Sequence, residues 1–389
     1  MENASEPKIS LGFCEKVNNW ELHRAYFRSK TGGFPAWLNP DKTPKVTCPF
    51  CQQPMILLSQ VYAEKDSLDH AYHRTVYVFT CRHGECHKVS VESEDPAIPL
   101  PYTVLRCQLP RINDYYEPDQ SENYEQDKHV MVRADQKLVK DFCFNCGQEA
   151  SYRCNSTAYC GKLCERNHRK TGHNTNCNNS KKNSKGPNFI YPTQKSSWCF
   201  EEYEIVDESE PSDDEEERDI QGENERLLKE IDENGNDFSD TELDAVASSS
   251  KLKVDKVFEK FKKRINREPA QVLRYIQDEM RKCWTGALHI SDSGKQQAKD
   301  IEIPFCELCK SDRILEFQIM PQILCHLNAD KGVDFGVLNV FTCKANCKID
   351  ENGYAQEFLT REMVAPDSIV PNDPNYDDDD WDSEDEDSN

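Results

Sequence analysis

The same arrangement of cysteines occurs twice in this chain, once toward each end. In both copies a Cys-x2-Cys pair precedes a β-rich stretch, and a second cysteine pair begins at the end of the tetrapeptide Val-Phe-Thr-Cys. The first copy consists of Cys48, Cys51, Cys81 and Cys86, and the second of Cys306, Cys309, Cys343 and Cys347. A hairpin that joins two such pairs gathers four thiolates, a tetrahedral ligand set that suits Zn²⁺ at about 2.3 Å per sulfur. A single pair is equally compatible with buried cysteines in ordinary strands, but the duplication favours two zinc sites.

Two histidines leave an alternative open at the first site. His83 and His87 flank Cys86, and either could replace that cysteine as the fourth ligand. Residues 55–64 and 74–81 are rich in β-branched and aromatic residues and predict the two strands of a hairpin. We therefore predict two related β-rich modules that face each other across a pseudo-twofold axis, with residues from 113 to roughly 250 as insertion or linker.

The charge and composition of the chain limit the classes of partner. Of the 389 residues, 37% are apolar and 31% are charged, so part of the chain should remain solvated and disordered. The net charge of −23 argues against nucleic acid as a direct partner and favours attraction to basic proteins. We expect no signal peptide and no membrane span, because neither apolar pattern occurs. The 19 cysteines then indicate zinc in the cytoplasm or nucleus rather than disulfides.

We predict a β-rich α+β fold in which two related zinc-braced β modules form a composite domain, with a zinc finger inserted and acidic disordered linkers. The predicted segments are an N-terminal zinc β module (8–116), a polar linker (117–137), the zinc finger (138–182), a connecting segment with a strand near 198–206 (183–207), an acidic disordered linker (208–250), a C-terminal module of helices followed by a zinc β module (251–365), and an acidic tail (366–389).

Two helices are predicted at the start of the C-terminal module. Apolar residues recur at helical spacing from Val254 to Ile265 and form one stripe. Pro269 is placed where a second helix would begin, and Leu273 and Met280 would lie on its buried side.

The central cysteine-rich block contains eight candidate ligands within 35 residues. They are Cys143, Cys146, Cys154, Cys160, Cys164, His168, His173 and Cys177. A segment this short cannot bury a core of its own, so metal binding would supply its folding free energy, on the order of 10 kcal/mol per site. Eight ligands suit two zinc ions, so the chain would hold four in total, or three if one of the two finger sites is empty.

This block resembles the MYND zinc finger, in which ligands one, two, five and six hold one ion. Carried over, the first site consists of Cys143, Cys146, Cys160 and Cys164. Cys154, His173 and Cys177 contribute to the second site. The chain departs from the family pattern because it lacks the cysteine expected two residues after Cys154, so His168 is an alternative fourth ligand there.

The rest of the chain resembles the programmed cell death protein 2 family. The similar segments include KTGGFPAWLNP, YHRTVYVFTC and QLPRINDYYEP in the first half, and ILEFQIMPQIL and DFGVLNVFTC in the second. The resemblance implies an acidic, non-enzymatic zinc protein of the cytoplasm and nucleus. It also implies a dedicated chaperone that captures a newly made, basic ribosomal protein of the small subunit. The zinc-braced modules could offer such a client a sheet edge or a groove.

Two other functions are weighed against the chaperone. MYND fingers also occur in SET-domain lysine methyltransferases, but the sequence has no glycine-rich cofactor motif, and no nucleophile motif surrounds the cysteines outside the metal sets. These cysteines are Cys14, Cys107, Cys199, Cys283 and Cys325. The second alternative is a finger-based adaptor in transcription or in cell death and proliferation control. Lys162, Arg166, Arg169 and Lys170 would give that finger a basic face.

Overall fold

A closed barrel of ten strands is the main feature of the computed structural model. The structure describes residues 9–93, 98–118, 128–138, 140–154, 157–170, 196–211, 256–276, 301–327, 333–351 and 353–363. The described strands are β1 (Ile9–Glu15), β2 (Lys30–Thr31), β3 (Ile56–Tyr62), β4 (His73–Thr80), β5 (Tyr102–Leu109), β6 (Tyr152–Cys154), β7 (Thr157–Tyr159), β8 (Tyr203–Ser209), β9 (Leu273–Ile276), β10 (Arg313–Ile319), β11 (Val337–Cys343) and β12 (Tyr354–Glu362). The β-rich character of the prediction is confirmed.

The barrel is built from both predicted modules. Its strand order is β1-β8-β2-β3-β4-β5-β12-β11-β10-β9, and β1 closes the ring by pairing with both β8 and β9. Strands β3–β5 of the N-terminal module thus lie next to β12–β10 of the C-terminal module in reversed order, joined by the antiparallel β5–β12 pair. The corresponding strands of the two copies therefore lie at equal distances from the β5–β12 pair in the strand order.

The β-bulges show how closely the two copies correspond. The β3–β4 register shifts between Leu57 and Ser59, and the β10–β11 register shifts between Leu315 and Phe317. Each bulge lies seven residues after the second cysteine of the preceding Cys-x2-Cys pair. Because a bulge bends its strand and increases the local twist, β3 and β10 curve at the same point of each copy.

The barrel interior is one apolar core shared by the modules. Val76 and Val78 of β4 pack there with Leu338 and Val340 of β11. On the outside of the N-terminal module, a second apolar cluster around Trp37 covers the other face of β3–β5. These strands are therefore buried on both faces, which explains why their sequences are apolar runs rather than alternating patterns.

Buried ion pairs also join the two modules. The guanidinium of Arg74 donates to both carboxylate oxygens of Glu316, at 3.1 and 2.9 Å, and the two side chains come from different modules. Arg106 on β5 pairs with Glu357 on β12 at 2.6 Å, and both side chains are fully buried. A buried ion pair is strongly destabilising to break when one partner is removed, so these contacts bind the modules into one unit.

The described helices are α1 (Gly84–Glu92), α2 (Lys128–Gln136), α3 (Lys162–Lys170), α4 (Lys256–Ile265) and α5 (Ile323–Leu327), with 3-10 turns at Arg24–Tyr26, Pro40–Lys42 and Asp69–Ala71. Helix α4 confirms the first helix predicted for the C-terminal module, and its Phe261 and Ile265 are buried against Met320 and Val337. Helix α2 lies inside the segment predicted as a linker, where Asp135 pairs with Arg24 at 2.8 Å.

The second predicted helix of the C-terminal module is wrong. Leu273 and Ile276 belong to strand β9, which pairs with β1 on one side and β10 on the other. A short apolar run fits a helix and a strand equally well. Hydrogen bonds to β1 and β10, which close the barrel, determine that this segment is a strand. Met280 lies outside the described residues. None of the described helices has the length and apolar character needed to cross a membrane.

Candidate metal centres

Each of the three Cys-x2-Cys pairs forms the same backbone turn. The amide of the first cysteine donates to the carbonyl five residues on, and the amide four residues on donates back to the first cysteine. The two N···O distances are 2.9 and 3.0 Å at Cys48, 2.7 and 2.9 Å at Cys143, and 2.8 and 2.9 Å at Cys306. We call these turns the N-terminal knuckle (48–51), the finger knuckle (143–146) and the C-terminal knuckle (306–309).

The residue after the second cysteine has a positive φ in all three knuckles. These residues are Gln52 (57°), Gly147 (72°) and Lys310 (61°). Non-glycine residues adopt this conformation rarely. Its appearance at the same position in three turns shows that the cysteine spacing imposes one backbone shape.

Each knuckle meets a second cysteine pair and completes a group of four. The sulfurs of each group all lie within 4.8 Å of one another. The groups are Cys48, Cys51, Cys81 and Cys86; Cys143, Cys146, Cys160 and Cys164; and Cys306, Cys309, Cys343 and Cys347. We refer to them as the N-terminal, finger and C-terminal centres. Twelve of the sixteen residues predicted as ligands lie in these groups.

The spacing of the sulfurs fits a tetrahedral zinc ion. Four sulfurs at about 2.3 Å from one zinc are separated from each other by about 3.8 Å. The Sγ···Sγ distances are 3.7 Å for Cys51–Cys81 and Cys306–Cys347, 3.5 Å for Cys146–Cys160 and Cys309–Cys343, and 3.4 Å for Cys160–Cys164. All three centres could therefore hold zinc, which would neutralise the thiolates and hold the loops together.

The thiol pKa values at the N-terminal centre are consistent with a site for a cation. Burial raises the pKa of Cys48, but the backbone amides of Cys51 and Phe50 outweigh it and hold the pKa below the usual value. Burial and the neighbouring sulfurs raise the pKa of Cys86 to about 12. The Cys48 thiol therefore ionises more easily than that of Cys86, where burial and repulsion from the adjacent sulfurs disfavour a second negative charge. A divalent cation would remove that repulsion and release the thiol protons.

The N-terminal centre uses Cys86 rather than His87. The Nε2 of His87 donates to the carbonyl of Cys81 at 2.9 Å, and its Nδ1 lies 3.2 Å from the hydroxyl of Tyr102. Burial lowers the pKa of His87 to about 4. His83 lies at the edge of the centre, with its Nδ1 3.8 Å from Cys51 Sγ and 3.7 Å from Cys81 Sγ.

The finger centre is attached to the N-terminal module. The side-chain amide of Gln148 donates to the carbonyls of Val46 (2.7 Å) and Met55 (3.0 Å), and its oxygen accepts from the amide of Val46 (3.0 Å). The indole of Trp37 donates to the carbonyl of Gly147 at 2.8 Å. The finger therefore covers the base of the N-terminal knuckle.

The segment before β8 joins the finger to the N-terminal centre. Ser196 Oγ donates to the carbonyl of Asn145 in the finger knuckle at 2.8 Å. Arg82, between two cysteines of the N-terminal centre, donates to the carbonyl of Ser197 at 3.1 Å and to that of Trp198. The two centres thus share one connecting segment.

The C-terminal centre is the most exposed of the three. Its Cys309 is exposed and Cys347 is half-buried, whereas Cys306 and Cys343 are buried. The finger packs against the N-terminal knuckle, whereas the second cysteine pair of the C-terminal centre is contacted by side chains of the N-terminal module. Arg106 Nη1 donates to the carbonyl of Cys347 at 3.1 Å, and Arg106 Nη2 lies 3.6 Å from its sulfur.

The second site predicted for the finger stays a prediction. His168 is described: its ring stacks on Phe144, and its Nδ1 lies 2.7 Å from the hydroxyl of Tyr159. Cys154 is also described, and Arg169 Nη2 lies 3.9 Å from its sulfur. His173 and Cys177 lie outside the described residues. The fourth zinc ion therefore stays a prediction as well.

The cysteines outside the centres have no metal partners among the described residues. Burial raises the pKa of Cys14 and of Cys107 to about 12, and it also raises the pKa of Cys199, which makes all three weak nucleophiles at neutral pH. Cys325 is exposed. Cys283 lies outside the described residues.

Sequence reasoning missed the polar side chains that surround the centres. Gln148 directly follows the finger knuckle and its glycine, which is a local signal that could have drawn attention to it. Arg106 and Glu357 lie 241 and 10 residues from Cys347, and no pattern along the chain links them to a metal site. Only the pairing of β5 with β12 brings them there.

Two family models match this chain. The model described as "Programmed cell death protein 2, N-terminal domain" matches residues 8–123, and the C-terminal domain model of the same family matches residues 255–365. These ranges contain the N-terminal and C-terminal centres. The finger lies between them.

Comparison with curated proteins confirms the resemblance drawn from the sequence. A Bos taurus protein named Programmed cell death protein 2 is 34% identical over 94% of this chain and 99% of its own length. The Mus musculus protein of that name is 32% identical over the same shares. A Schizosaccharomyces pombe protein named "Probable 20S rRNA accumulation protein 4" is 32% identical over 27% of this chain and 28% of its own length. No solved structure matches the chain.

Proposed function

The chain belongs to the programmed cell death protein 2 family, and from this membership we propose that it acts as a non-enzymatic zinc protein in ribosome assembly. In this proposal it is a dedicated chaperone that captures a basic protein of the small ribosomal subunit during or after synthesis and supports 40S subunit biogenesis. It would work in the cytoplasm and the nucleus. The observation that carries the proposal is the similarity to a yeast protein whose name refers to 20S rRNA accumulation.

The charge of the chain supports a basic client. A net charge of −23 attracts basic proteins and speeds their association at low salt. Basic segments that bind RNA in the finished subunit need a temporary acidic partner before rRNA is available. The acidic linker predicted at 208–250 lies outside the described residues apart from its first four positions, and the acidic tail lies outside them entirely.

The closed barrel restricts which surfaces of the protein a client could bind. In the described part of the chain, the ten main strands pair around a complete ring. A closed ring removes the long sheet edge to which an extended peptide would add as a further strand. We therefore favour a client surface made of loops and side chains over the sheet edge considered from the sequence.

The decisive experiment is capture during translation. The tagged full chain should co-purify with one basic small-subunit protein when it is isolated from actively translating cells, as measured by quantitative mass spectrometry. Capture should weaken as salt is raised from about 50 to 200 mM, because charges drive it. A purification that enriches no basic ribosomal protein would contradict the proposal. Depletion of the chain should raise small-subunit rRNA precursors relative to large-subunit precursors.

A second candidate function is a protein–protein adaptor that acts through the finger. It is favoured by one observation: Lys162, Arg166, Arg169 and Lys170 are all exposed on helix α3. Reversing two charges with Lys162→Glu and Arg166→Glu changes that face and leaves the four sulfurs of the finger centre in place. If the finger binds the client, capture falls in this variant. If the barrel binds it, capture persists there and is lost in Cys306→Ser.

A further inference from the structure

The second cysteine pair of the C-terminal centre is held by side chains from the other module. We call residues 343–347 the C-terminal return turn. His70 Nε2 lies 2.8 Å from the carbonyl of Asn346, and the side-chain amide of Gln108 donates to the same carbonyl at 3.3 Å. Asn346 has a positive φ of 43°, so this turn adopts a conformation that an isolated peptide would rarely keep.

Arg106 extends these contacts to a metal ligand itself. Its Nη1 donates to the carbonyl of Cys347 at 3.1 Å, and its Nη2 lies 3.6 Å from the sulfur of Cys347. Arg106 is fully buried on β5 of the N-terminal module. A guanidinium beside a thiolate stabilises its negative charge and orients the sulfur. Polar partners of this kind are known to tune metal affinity.

One buried carboxylate connects Arg106 to the opposite side of the centre. Glu357 accepts from Arg106 Nε at 2.6 Å and from Arg313 Nε at 2.9 Å. Arg313 in turn donates to the carbonyls of Pro304 and Phe305, both at 2.8 Å, which lead into the C-terminal knuckle. The knuckle and the return turn are therefore positioned by one network whose first member belongs to the N-terminal module.

The N-terminal centre is built differently at the equivalent positions. Arg361 occupies in β12 the place that Arg106 occupies in β5, and it is also fully buried. Arg361 donates to Ser90 Oγ at 2.8 Å, four residues beyond the last ligand of the N-terminal centre. The carbonyl of Cys81 accepts from His87 of the same module. The two arginines thus form a natural matched pair for comparison.

We propose that Arg106, assisted by His70 and Gln108, is a positioning residue that makes zinc binding at the C-terminal centre depend on docking of the N-terminal module. The dependence is reciprocal, because two events that favour the same state must favour each other. Zinc in the C-terminal centre holds the two modules together, and closure of the barrel retains that zinc. The inference concerns the metal centre and is independent of the identity of any client.

The test compares Arg106→Lys with Arg361→Lys in the full chain. Lysine keeps the positive charge but cannot supply the two parallel N–H groups that reach the carbonyl and the sulfur of Cys347. Zinc release into excess chelator is followed by absorbance, and the cysteines exposed at each time point are alkylated and identified by mass spectrometry. This readout assigns each released zinc to a centre.

In Arg106→Lys, one equivalent of zinc should leave roughly 10- to 100-fold faster than in the unmodified chain. Among the twelve cysteines of the centres, Cys309 and Cys347 should be the first to become alkylated. In Arg361→Lys the zinc of the C-terminal centre should leave at the unmodified rate. The proposal is overturned if Arg106→Lys leaves that rate unchanged, or if it accelerates release from all centres equally, since the latter indicates general destabilisation.

If Arg106→Lys fails to fold, two milder variants test the same proposal. His70→Ala and Gln108→Leu each remove one contact to the carbonyl of Asn346 and leave the buried ion pair of Arg106 intact. Each should accelerate release of the same zinc by a smaller factor, and the double variant should exceed both. Unchanged release in the double variant would overturn the proposal.

Discussion

The N-terminal and C-terminal centres share one cysteine pattern and one knuckle turn, yet different parts of the chain pack against them. The finger covers the N-terminal knuckle through Gln148, whereas Arg106 of the opposite module reaches the C-terminal return turn. The local sequence therefore determines the four ligands of each centre, and the topology determines their surroundings. Two copies of one motif can differ in metal retention without differing in any ligand.

The outer faces of the two modules differ in the same way. Tyr77 and Asn339 each lie four residues before a Val-Phe-Thr-Cys cysteine. The Tyr77 hydroxyl donates to the carbonyl of Ala36 inside an aromatic cluster with Trp37. Asn339 instead joins a buried polar network and donates to Glu362 at 2.9 Å. At this site the N-terminal copy is thus packed among aromatic rings, whereas the C-terminal copy has a network of polar side chains.

Removing a cysteine ligand should have the largest effect on stability. This effect should be larger at the N-terminal and C-terminal centres than at the finger centre. Cys48→Ser and Cys306→Ser should each lose one zinc and unfold the barrel, because a structural zinc contributes on the order of 10 kcal/mol. Cys143→Ser should lose one zinc yet keep the barrel, with a lowered unfolding midpoint. Elemental analysis and circular dichroism measure both. A folded barrel in Cys306→Ser would show that the C-terminal centre is dispensable.

A second test makes the two modules alike at their bulges. The bulge residue is the buried Leu58 in β3 and Glu316 in β10. Glu316→Leu should destabilise the protein by about 3–5 kcal/mol in urea unfolding, because Arg74 stays buried without its carboxylate. The double variant Arg74→Leu with Glu316→Leu should recover most of that loss. Equal losses in both variants would mean that the ion pair itself is not responsible.

The features that could be predicted from the sequence are those that depend on residues close together along the chain. All twelve cysteines of the three centres and the hairpin strands 55–64 and 74–81 were predicted, because ligand spacing and residue type lie within short stretches. Strand β9 was predicted as a helix because apolar residues recur at helical spacing from Val272 to Met280, whereas pairing with β1 and β10 determines its conformation. Arg106 was missed because its partner lies far along the chain, and only strand pairing brings the two together.

A third test concerns attachment of the finger to the N-terminal module. Gly147 has a φ of +72°, and an added Cβ would lie 2.8 Å from Phe34 Cβ and from Pro35 Cδ. Gly147→Ala should therefore lower the free energy of unfolding by about 1–3 kcal/mol. Gly161→Ala in the same finger is the matched control, since nothing lies within 4 Å of its added Cβ. Similar losses in both variants would argue against a specific contact.

The smallest expected effect is a pH dependence that originates in the N-terminal module. Burial lowers the pKa of His23, His73 and His87 to about 4, and all three belong to that module. Each histidine is neutral when folded and binds a proton near pH 6.5 when unfolded, so the unfolded state takes up more protons as the pH falls. The stability that these histidines contribute is full above pH 6.5 and is lost between pH 6.5 and 4.

Each histidine should therefore cost about 1 kcal/mol of stability when the pH is lowered from 7.5 to 5.5. His73→Phe isolates one of them, because a phenyl ring can keep the stacking on Phe27, whose ring lies 4.4 Å from that of His73. The loss of stability between the two pH values should be smaller by about 1 kcal/mol in this variant. Zinc content is measured at both pH values, so that loss of metal is not mistaken for titration. An unchanged pH dependence in His73→Phe would show that His73 does not contribute to the acid sensitivity.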